Sequence, residues 1–192
     1  MISTCTENLA LEDVDVILTT GHHPIPNRLL PLPVNFHHEP YLPGLLMAEA
    51  ADLLIHHGGY GSSQTALYAG KPSVILPTYS ERLGNARRIE SLGAAAVVAV
   101  HRDSGRRVVD AAAFRGAVHD ALNCASYRNR AAELGDLLRS FGEAHLAAQR
   151  IDAFARQTVS ASRAAVSGAE EASLPHTAMR TDPPCPGDED NG

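Results

Sequence analysis

Tryptophan is absent from this chain, and aromatic residues make up only 5% of its 192 positions. Proteins that hold single-stranded nucleic acid stack the bases on such side chains, so their scarcity argues against that ligand. A basic surface is lacking too, because the formal net charge is −6. Nucleic acid and anionic membranes attract clustered lysine and arginine, so neither is expected as a partner.

Cysteine is also scarce. Cys5, Cys124 and Cys185 are odd in number and far apart in the sequence, which favours a reducing cytoplasm over a disulfide framework. The first ten residues lack the basic and apolar regions of a signal peptide. No apolar run approaches the roughly 20 residues that cross a bilayer. A cytoplasmic protein without a transmembrane segment is therefore expected.

The residues that are present suffice for one ordinary domain, since 44% of them are hydrophobic. Short apolar runs predict strands at 14–20, 53–55, 73–76 and 95–100, with a weaker one at 34–36. Helical patterns occur between them at 45–51, 62–69 and 85–92, and again from 110 to 156 with a break at 123–127. This alternation predicts an α/β fold with a doubly wound parallel sheet.

The composition divides the chain near its end. Residues 1–157 carry the α/β pattern. Residues 158–192 are small, polar and rich in proline, with few large apolar side chains, and they predict a disordered tail.

A glycine loop between a strand and a helix is the strongest local signal. His56 and His57 follow the apolar run 53–55, and Gly58, Gly59 and Gly61 come next. Glycine lets the backbone approach a phosphate closely, and a helix N-terminus stabilises its negative charge. Parallel strands also place their carboxyl ends at the ligand-binding edge. The alternative is a tight structural turn with an incidental histidine.

A second polar segment follows the strand at 73–76 and overhangs the same edge. Glu81 could accept hydrogen bonds from sugar hydroxyls, and Arg82 could pair with phosphate. Without the glycine loop, the two would be taken as a solvated charge pair. Asn85 is interpreted as the cap of the next helix, and Ser62 and Ser63 as caps of the preceding one. The serines lack the GxSxG context of a nucleophile.

Together these residues resemble the donor-binding domain of GT-B glycosyltransferases, in the macrolide and UDP-glucosyl/glucuronosyl branch. The features that carry the resemblance over 11–156 agree with that family in order and spacing. They are His57-Gly58-Gly59-Tyr60-Gly61-Ser62, Gly70-Lys71-Pro72, Pro77, Glu81, Asn85-Ala86, Tyr41-Leu42-Pro43 and the segment from Tyr127 to Leu134.

The resemblance implies a role for each matching position. His57, Gly58, Gly59, Gly61 and Ser62 would bind the diphosphate of a nucleotide-sugar donor, UDP- or TDP-linked. Glu81 and Arg82 would hold the donor sugar. Tyr41 and Thr65 would lie near the nucleoside. Catalysis would come from stabilising the departing nucleoside diphosphate, with no metal and no cofactor.

The chain departs from the family pattern at several points. Thr65 stands where the family often has a ribose-binding glutamate, Arg82 where it has glutamine, and Gly44 where glutamine is common. The chain also begins near the helix that should precede residue 14, so the first strand of the donor domain is expected to be missing. The acceptor domain, which usually supplies the catalytic base, is expected to be absent, so no catalytic residue is assigned.

Three histidine pairs invite a zinc hypothesis: His22-His23, His37-His38 and His56-His57. Each follows a predicted strand, so all could gather at one edge of the sheet. Adjacent residues of an extended segment point to opposite faces, however, and each pair could offer only one ligand. No metal site is expected.

The favoured function is donor binding by a glycosyltransferase, with hexosyl transfer to a small-molecule or lipid acceptor. The chain alone is expected to be inactive and could need a separate chain that supplies the acceptor domain. The rivals are a non-catalytic nucleotide-binding subunit that pairs with another chain, and an enzyme of the sugar-nucleotide epimerase type.

Overall fold

The computed structural model describes residues 1–142 and 144–171, with side chains for 1–142 and 144–161. Seven α-helices occur in the described residues: α1 (Ile2–Leu9), α2 (Gly44–Ala50), α3 (Tyr60–Tyr68), α4 (Ser80–Ser91), α5 (Ala111–Asn123), α6 (Ala125–Ser140) and α7 (Ala144–Glu171). The strands found there are β1 (Val16–Thr19), β2 (Phe36–Glu39), β3 (Leu54–His56), β4 (Ser73–Ile75), β5 (Ala95–Val97), β6 (Val100–Asp103) and β7 (Arg106–Val109).

Parallel pairing dominates the strands. β1 pairs with β2, and a separate sheet has the order β3-β4-β5. β6 and β7 form an antiparallel hairpin. The predicted α/β class with parallel strands is confirmed, but the parallel strands form two sheets. No described backbone hydrogen bond joins β1 to β3.

Both faces of the three-stranded sheet are covered. Val74 of β4 is buried in a core with α1 and α5, which contribute Leu9 and Phe114. The next residue, Ile75, is buried on the other side in a core that Ala86 of α4 and Ala131 of α6 complete. Successive strand residues point to opposite faces, so helices pack on both sides, as a doubly wound fold requires.

The first of these cores also reaches the two-stranded sheet. Phe36 of β2 is buried in it and Val16 of β1 packs against it, beside Leu53 and Ile55 near β3. The two parallel sheets therefore share one hydrophobic layer although their strands are not hydrogen-bonded to each other.

Two helices begin earlier than predicted, and both capping interpretations are wrong. α3 begins at Tyr60 with Gly59 as N-cap and no side-chain cap, so Ser62 and Ser63 lie inside the helix. α4 begins at Ser80, which places Asn85 in its second turn. Glycines near each start indicated loop, but a helical glycine costs only about 1 kcal/mol, which tertiary packing can offset.

The strands also differ from the prediction in two places. The predicted weak strand at 34–36 lies later, as β2, so His37 and His38 are inside a strand instead of after it. The β6–β7 hairpin was not predicted. Its turn, Ser104-Gly105, has positive φ at both residues, 48° and 79°, which is typical of a two-residue hairpin and was readable from the Ser-Gly pair.

α7 continues to Glu171, across the boundary at 157 that the composition predicted, and the disordered tail at 158–192 stays a prediction. The composition argument weighed the lack of buried apolar area, whereas this segment is rich in alanine, the strongest helix former. Residues 172–192 lie outside the described part. α7 belongs to a unit separate from residues 1–142, and none of the described helices is long and apolar enough to span a membrane.

Candidate functional site

Gly58 fixes the path of the loop that follows β3. Its φ is +81°, a value that L side chains rarely adopt. A Cβ added there would lie 2.8 Å from the carbonyl oxygen of Arg82 and 3.1 Å from Cγ2 of Ile75. The loop backbone therefore lies directly against the first turn of α4, and only glycine fits at this position.

His56 holds the same loop from inside. Its side chain is 5% exposed, and its Nδ1 accepts a hydrogen bond from the Gly58 N–H at 3.1 Å. Its Nε2 is buried and has no hydrogen-bond partner among the described residues. Burial, together with a smaller contribution from the neighbouring His57, lowers the pKa of His56 to about 4. His56 is thus a neutral structural support, a role that the sequence interpretation as half of a histidine pair missed.

His57 lies beside the N-terminus of α3. A Cβ added at Gly59 would meet Nε2 of His57 at 2.5 Å, so the imidazole occupies the space that a side chain at 59 would need. The pKa of His57 is lowered, first by burial and then by the positive charge of Arg82, while Glu81 opposes the shift. His57 is consequently a neutral hydrogen-bonding group at neutral pH, and Arg82 and Glu81 are near enough to affect it.

The N-terminus of α3 is open at this point. The first backbone N–H bonded within the helix is that of Ser63, which donates to the Gly59 carbonyl at 3.0 Å. The N–H groups of Tyr60, Gly61 and Ser62 have no acceptor among the described backbone hydrogen bonds. A Cβ at Gly61 would meet nothing within 4 Å. Unpaired N–H groups and the positive end of the helix dipole, with free space beside them, suit an anion.

Asn85 links the loop to α4 and is not the cap that its sequence position suggested. Its Nδ2 donates to the Gly58 carbonyl at 3.2 Å and lies 3.3 Å from Oε1 of Glu81. One amide group therefore orients both the loop and the carboxylate predicted to bind sugar. Glu81 is otherwise exposed in the first turn of α4.

Arg82 projects from the same turn. Its Nη1 donates to Oγ1 of Thr78 at 2.6 Å, and its Cζ lies 4.8 Å from the centroid of the Tyr79 ring. These contacts fix the guanidinium beside the loop without neutralising its charge. The structure thus brings together His57, Gly58, Gly59, Glu81 and Arg82.

The two residues predicted near the nucleoside, Tyr41 and Thr65, have other contact partners than the five residues just named. Tyr41 is 62% exposed and stacks on His22 with ring centroids 5.6 Å apart and an interplanar angle of 7°. Thr65 donates its hydroxyl to the Gly61 carbonyl at 3.0 Å. The turn that carries Tyr41 leads into α2, which packs against α3.

The three histidine pairs do not converge on a metal. His37 lies 3.3 Å from Asp15, whereas Nε2 of His38 is 3.0 Å from the Thr20 hydroxyl, so the members of this pair face different neighbours. Within the described residues no group of three or more His, Cys, Asp or Glu side chains is placed to hold a metal ion.

Comparison with known proteins identifies the family of the chain. Residues 4–143 match the family model described as "Erythromycin biosynthesis protein CIII-like, C-terminal domain". The chain is 29% identical over 158 residues to the "Uncharacterized UDP-glucosyltransferase YojK" of Bacillus subtilis (strain 168), covering 82% of this chain and 38% of YojK. It is 34% identical over 128 residues to the "4'-demethylrebeccamycin synthase" of Lentzea aerocolonigenes, covering 67% of this chain and 28% of that protein.

Solved structures agree with the sequence relatives. The glycotransferase of kitacinnamycin superposes with a TM-score of 0.67 at 30% identity, covering 79% of this chain and 38% of that one. The structural neighbours are GT-B glycosyltransferases, which confirms the predicted fold class. The chain spans less than two fifths of the length of these relatives. The match over residues 4–143 shows that the chain belongs to the family of erythromycin biosynthesis protein CIII-like C-terminal domains.

Proposed function

We propose that this chain is the donor-binding domain of a glycosyltransferase and that it binds a UDP- or TDP-linked sugar for transfer to a small-molecule or lipid acceptor. The observation that carries the proposal is the open N-terminus of α3 beneath His57, next to Glu81 and Arg82. The free N–H groups would bind the diphosphate of the donor.

The other predicted residues have complementary parts in this proposal. His57 would donate a hydrogen bond from an imidazole N–H to a phosphate oxygen, because the negative charge of the diphosphate favours a hydrogen-bond donor at that position. Glu81, oriented by Asn85, would accept hydrogen bonds from sugar hydroxyls. Tyr41 would offer its exposed ring to the base. As the glycosidic bond breaks, the same N–H groups would stabilise the negative charge that develops on the departing nucleoside diphosphate.

We assign no catalytic base to this chain. In the proposal, transfer requires a further domain, in the same or a separate chain, that positions the acceptor. The chain on its own is then expected to bind the donor and to leave it intact.

Calorimetric titration with UDP, TDP and GDP tests the proposal, after circular dichroism has shown a folded chain. Saturable binding of one nucleotide is expected. His57→Ala should weaken that binding by about 1–3 kcal/mol, the value of a hydrogen bond to a charged group.

The control is His119→Ala, which removes an exposed imidazole that lies next to Asp120 on α5. It should leave the affinity unchanged. Binding that is insensitive to His57→Ala in a folded variant would remove His57 from the site, and absence of binding by the folded wild type would contradict the proposal. Turnover of a sugar nucleotide without acceptor would instead support the epimerase rival.

A further inference from the structure

The β6–β7 hairpin places two arginines directly opposite each other. In the antiparallel register Arg102 pairs with Arg107, and Asp103 with Arg106. Side chains opposite each other in an antiparallel pair project from the same face, and like charges there destabilise the hairpin. The hairpin keeps this destabilising pair of like charges. Locally unfavourable residues of this kind are expected at binding or catalytic sites.

The hairpin reaches the edge of the sheet that carries the glycine loop. Cζ of Arg107 lies 4.9 Å from the centroid of the Tyr79 ring, and Cζ of Arg82, from α4, lies 4.8 Å from the same centroid. Tyr79 is the N-cap residue of α4 and is 57% exposed. One aromatic ring therefore fixes two guanidinium groups from different parts of the chain by cation–π contact.

The charge of this group extends beyond the two stacked arginines. The pKa of Tyr79 is lowered, first by a hydrogen bond from Arg107 and by its charge, with smaller contributions from Arg82 and Arg102. We call Tyr79, Arg82, Arg102 and Arg107 the arginine cluster.

The arginine cluster is not neutralised by the protein. Among the described residues, no carboxylate forms an ion pair with its three arginines, whereas Arg115, Arg130, Arg139 and Arg156 all have acidic partners. The chain as a whole carries a net charge of −6. An unpaired cationic group in an acidic chain is available for an anion from outside.

The position of the cluster indicates which anion. Arg82 contacts the Tyr79 ring, and its carbonyl lies against Gly58 of the loop. Its charge lowers the pKa of His57, and Arg82 follows Glu81, the residue assigned to the sugar. Each guanidinium has five N–H groups, so Arg82 keeps further donors beyond the one that contacts Thr78. Planar guanidinium groups match carboxylate oxygens in pairs.

We propose that the arginine cluster binds a carboxylate on the sugar of the donor, so that the chain selects a nucleoside diphosphate-hexuronate over the neutral hexose. This inference rests on the proposed donor site and adds the charge of the sugar to it. Arg107 would be the residue that determines the preference, because it belongs to the hairpin and not to the diphosphate loop.

The experiment is a calorimetric comparison of UDP-glucuronate, UDP-glucose and UDP on the full chain. The wild type should bind UDP-glucuronate at least about tenfold more tightly than UDP-glucose, as expected for a charge-assisted hydrogen bond. Arg107→Gln should bring that ratio close to one while the affinity for UDP stays within about twofold of the wild type, and Arg107→Lys should restore part of the ratio.

Arg106→Gln is the matched control, because Arg106 lies on the same strand but stands opposite Asp103 in the hairpin register and has no contact with Tyr79 among the described ones. It should leave the ratio unchanged. Equal loss of all three ligands in Arg107→Gln would show that the cluster acts on the diphosphate, and an unchanged ratio would show that it does not contact the sugar. Either result overturns the proposal.

A second measurement does not depend on the nucleotide. Free glucuronate, but not glucose, should shift the backbone amide signals of 102–107 in a nitrogen–proton NMR spectrum, and Arg107→Gln should remove the shift. No shift would overturn the carboxylate subsite even if UDP binds. A shift without a preference for UDP-glucuronate would assign the carboxylate to another ligand and overturn the donor assignment. Failure of UDP to bind concerns the proposed function alone.

Discussion

At the scale of single residues, His56 makes the stability of the chain depend on pH. Its pKa in the folded state is about 4, lowered from 6.5 mainly by burial. Above pH 6.5 both the folded and the unfolded chain carry it neutral. As the pH falls from 6.5 to 4 only the unfolded chain takes up the proton, so the free energy of unfolding should drop by up to about 3 kcal/mol. Urea titrations at pH 7, 6, 5 and 4 would measure this drop.

The control for that prediction is His56→Asn. Asparagine can present Oδ1 where His56 presents Nδ1 to the Gly58 N–H, and it does not titrate. The variant should lose less stability than the wild type between pH 6.5 and 4. Parallel pH profiles of the two proteins would show that other groups cause the loss.

For the candidate site, the sequence identified which residues could take part but not which contacts they make. The His-Gly-Gly-x-Gly pattern and Glu81-Arg82 were identified as candidates, and the structure places them side by side. The bridging position of Asn85 was not foreseeable, because its partners at Gly58 and Glu81 depend on how far α4 extends toward its N-terminus. The partnership of Tyr79 with Arg107 joins positions far apart in the chain, which local spacing cannot reveal.

At the scale of secondary-structure elements, the contact between α3 and α6 depends on the absence of a side chain. A Cβ at Gly135 of α6 would lie 2.8 Å from Cα of Gly70 and 2.9 Å from the carbonyl oxygen of Leu67. Gly135→Ala should therefore destabilise the chain by about 1–3 kcal/mol, because backbone atoms must move apart. Thermal or urea unfolding would measure the change.

The matched variant is Gly116→Ala in α5, where an added Cβ meets nothing within 4 Å. Its expected effect is stabilisation by about 0.5–1 kcal/mol, from helix propensity alone. If Gly135→Ala stabilised the chain as Gly116→Ala is expected to, the α3–α6 contact would not be as tight as the distances indicate.

The elements themselves were predictable where the pattern was long or strongly apolar. The strands that became β1, β3, β4 and β5 were predicted within a few residues. The helical pattern predicted from residue 110 corresponds to α5, whose N-cap Asp110 accepts from the Ala113 N–H at 2.7 Å. The starts of α3 and α4 were missed by two and five residues, because glycines that indicate a loop are tolerated when the helix packs against a sheet.

At the scale of the whole molecule, the two parallel sheets share one hydrophobic core, but the strand edges at β1 and β3 are not hydrogen-bonded to each other. The N–H of Val16 bonds to Asn35 and that of Leu54 to Pro72. Strand residues alternate in the edge to which they donate, so the N–H groups of Ile17 and Ile55 point away from these partners.

The amides of Ile17 and Ile55 should therefore exchange with deuterated water at least about tenfold faster than those of Val16 and Leu54. Hydrogen exchange followed by NMR would compare neighbours within the same strand, so each strand provides its own control. Equal protection at low protein concentration would contradict the open edges. Protection of Ile17 and Ile55 that rises with concentration would indicate that another copy of the chain pairs with them.

The contact between Gly58 and the carbonyl of Arg82 has a consequence for the exchange of parts between related enzymes. The oxygen at this approach belongs to the backbone, so a transplanted start of α4 fits the loop whatever its side chain at 82, provided that its backbone follows the same path. A chimaera should therefore keep its fold when the start of α4 is exchanged, but not when the exchanged loop brings a residue other than glycine to position 58.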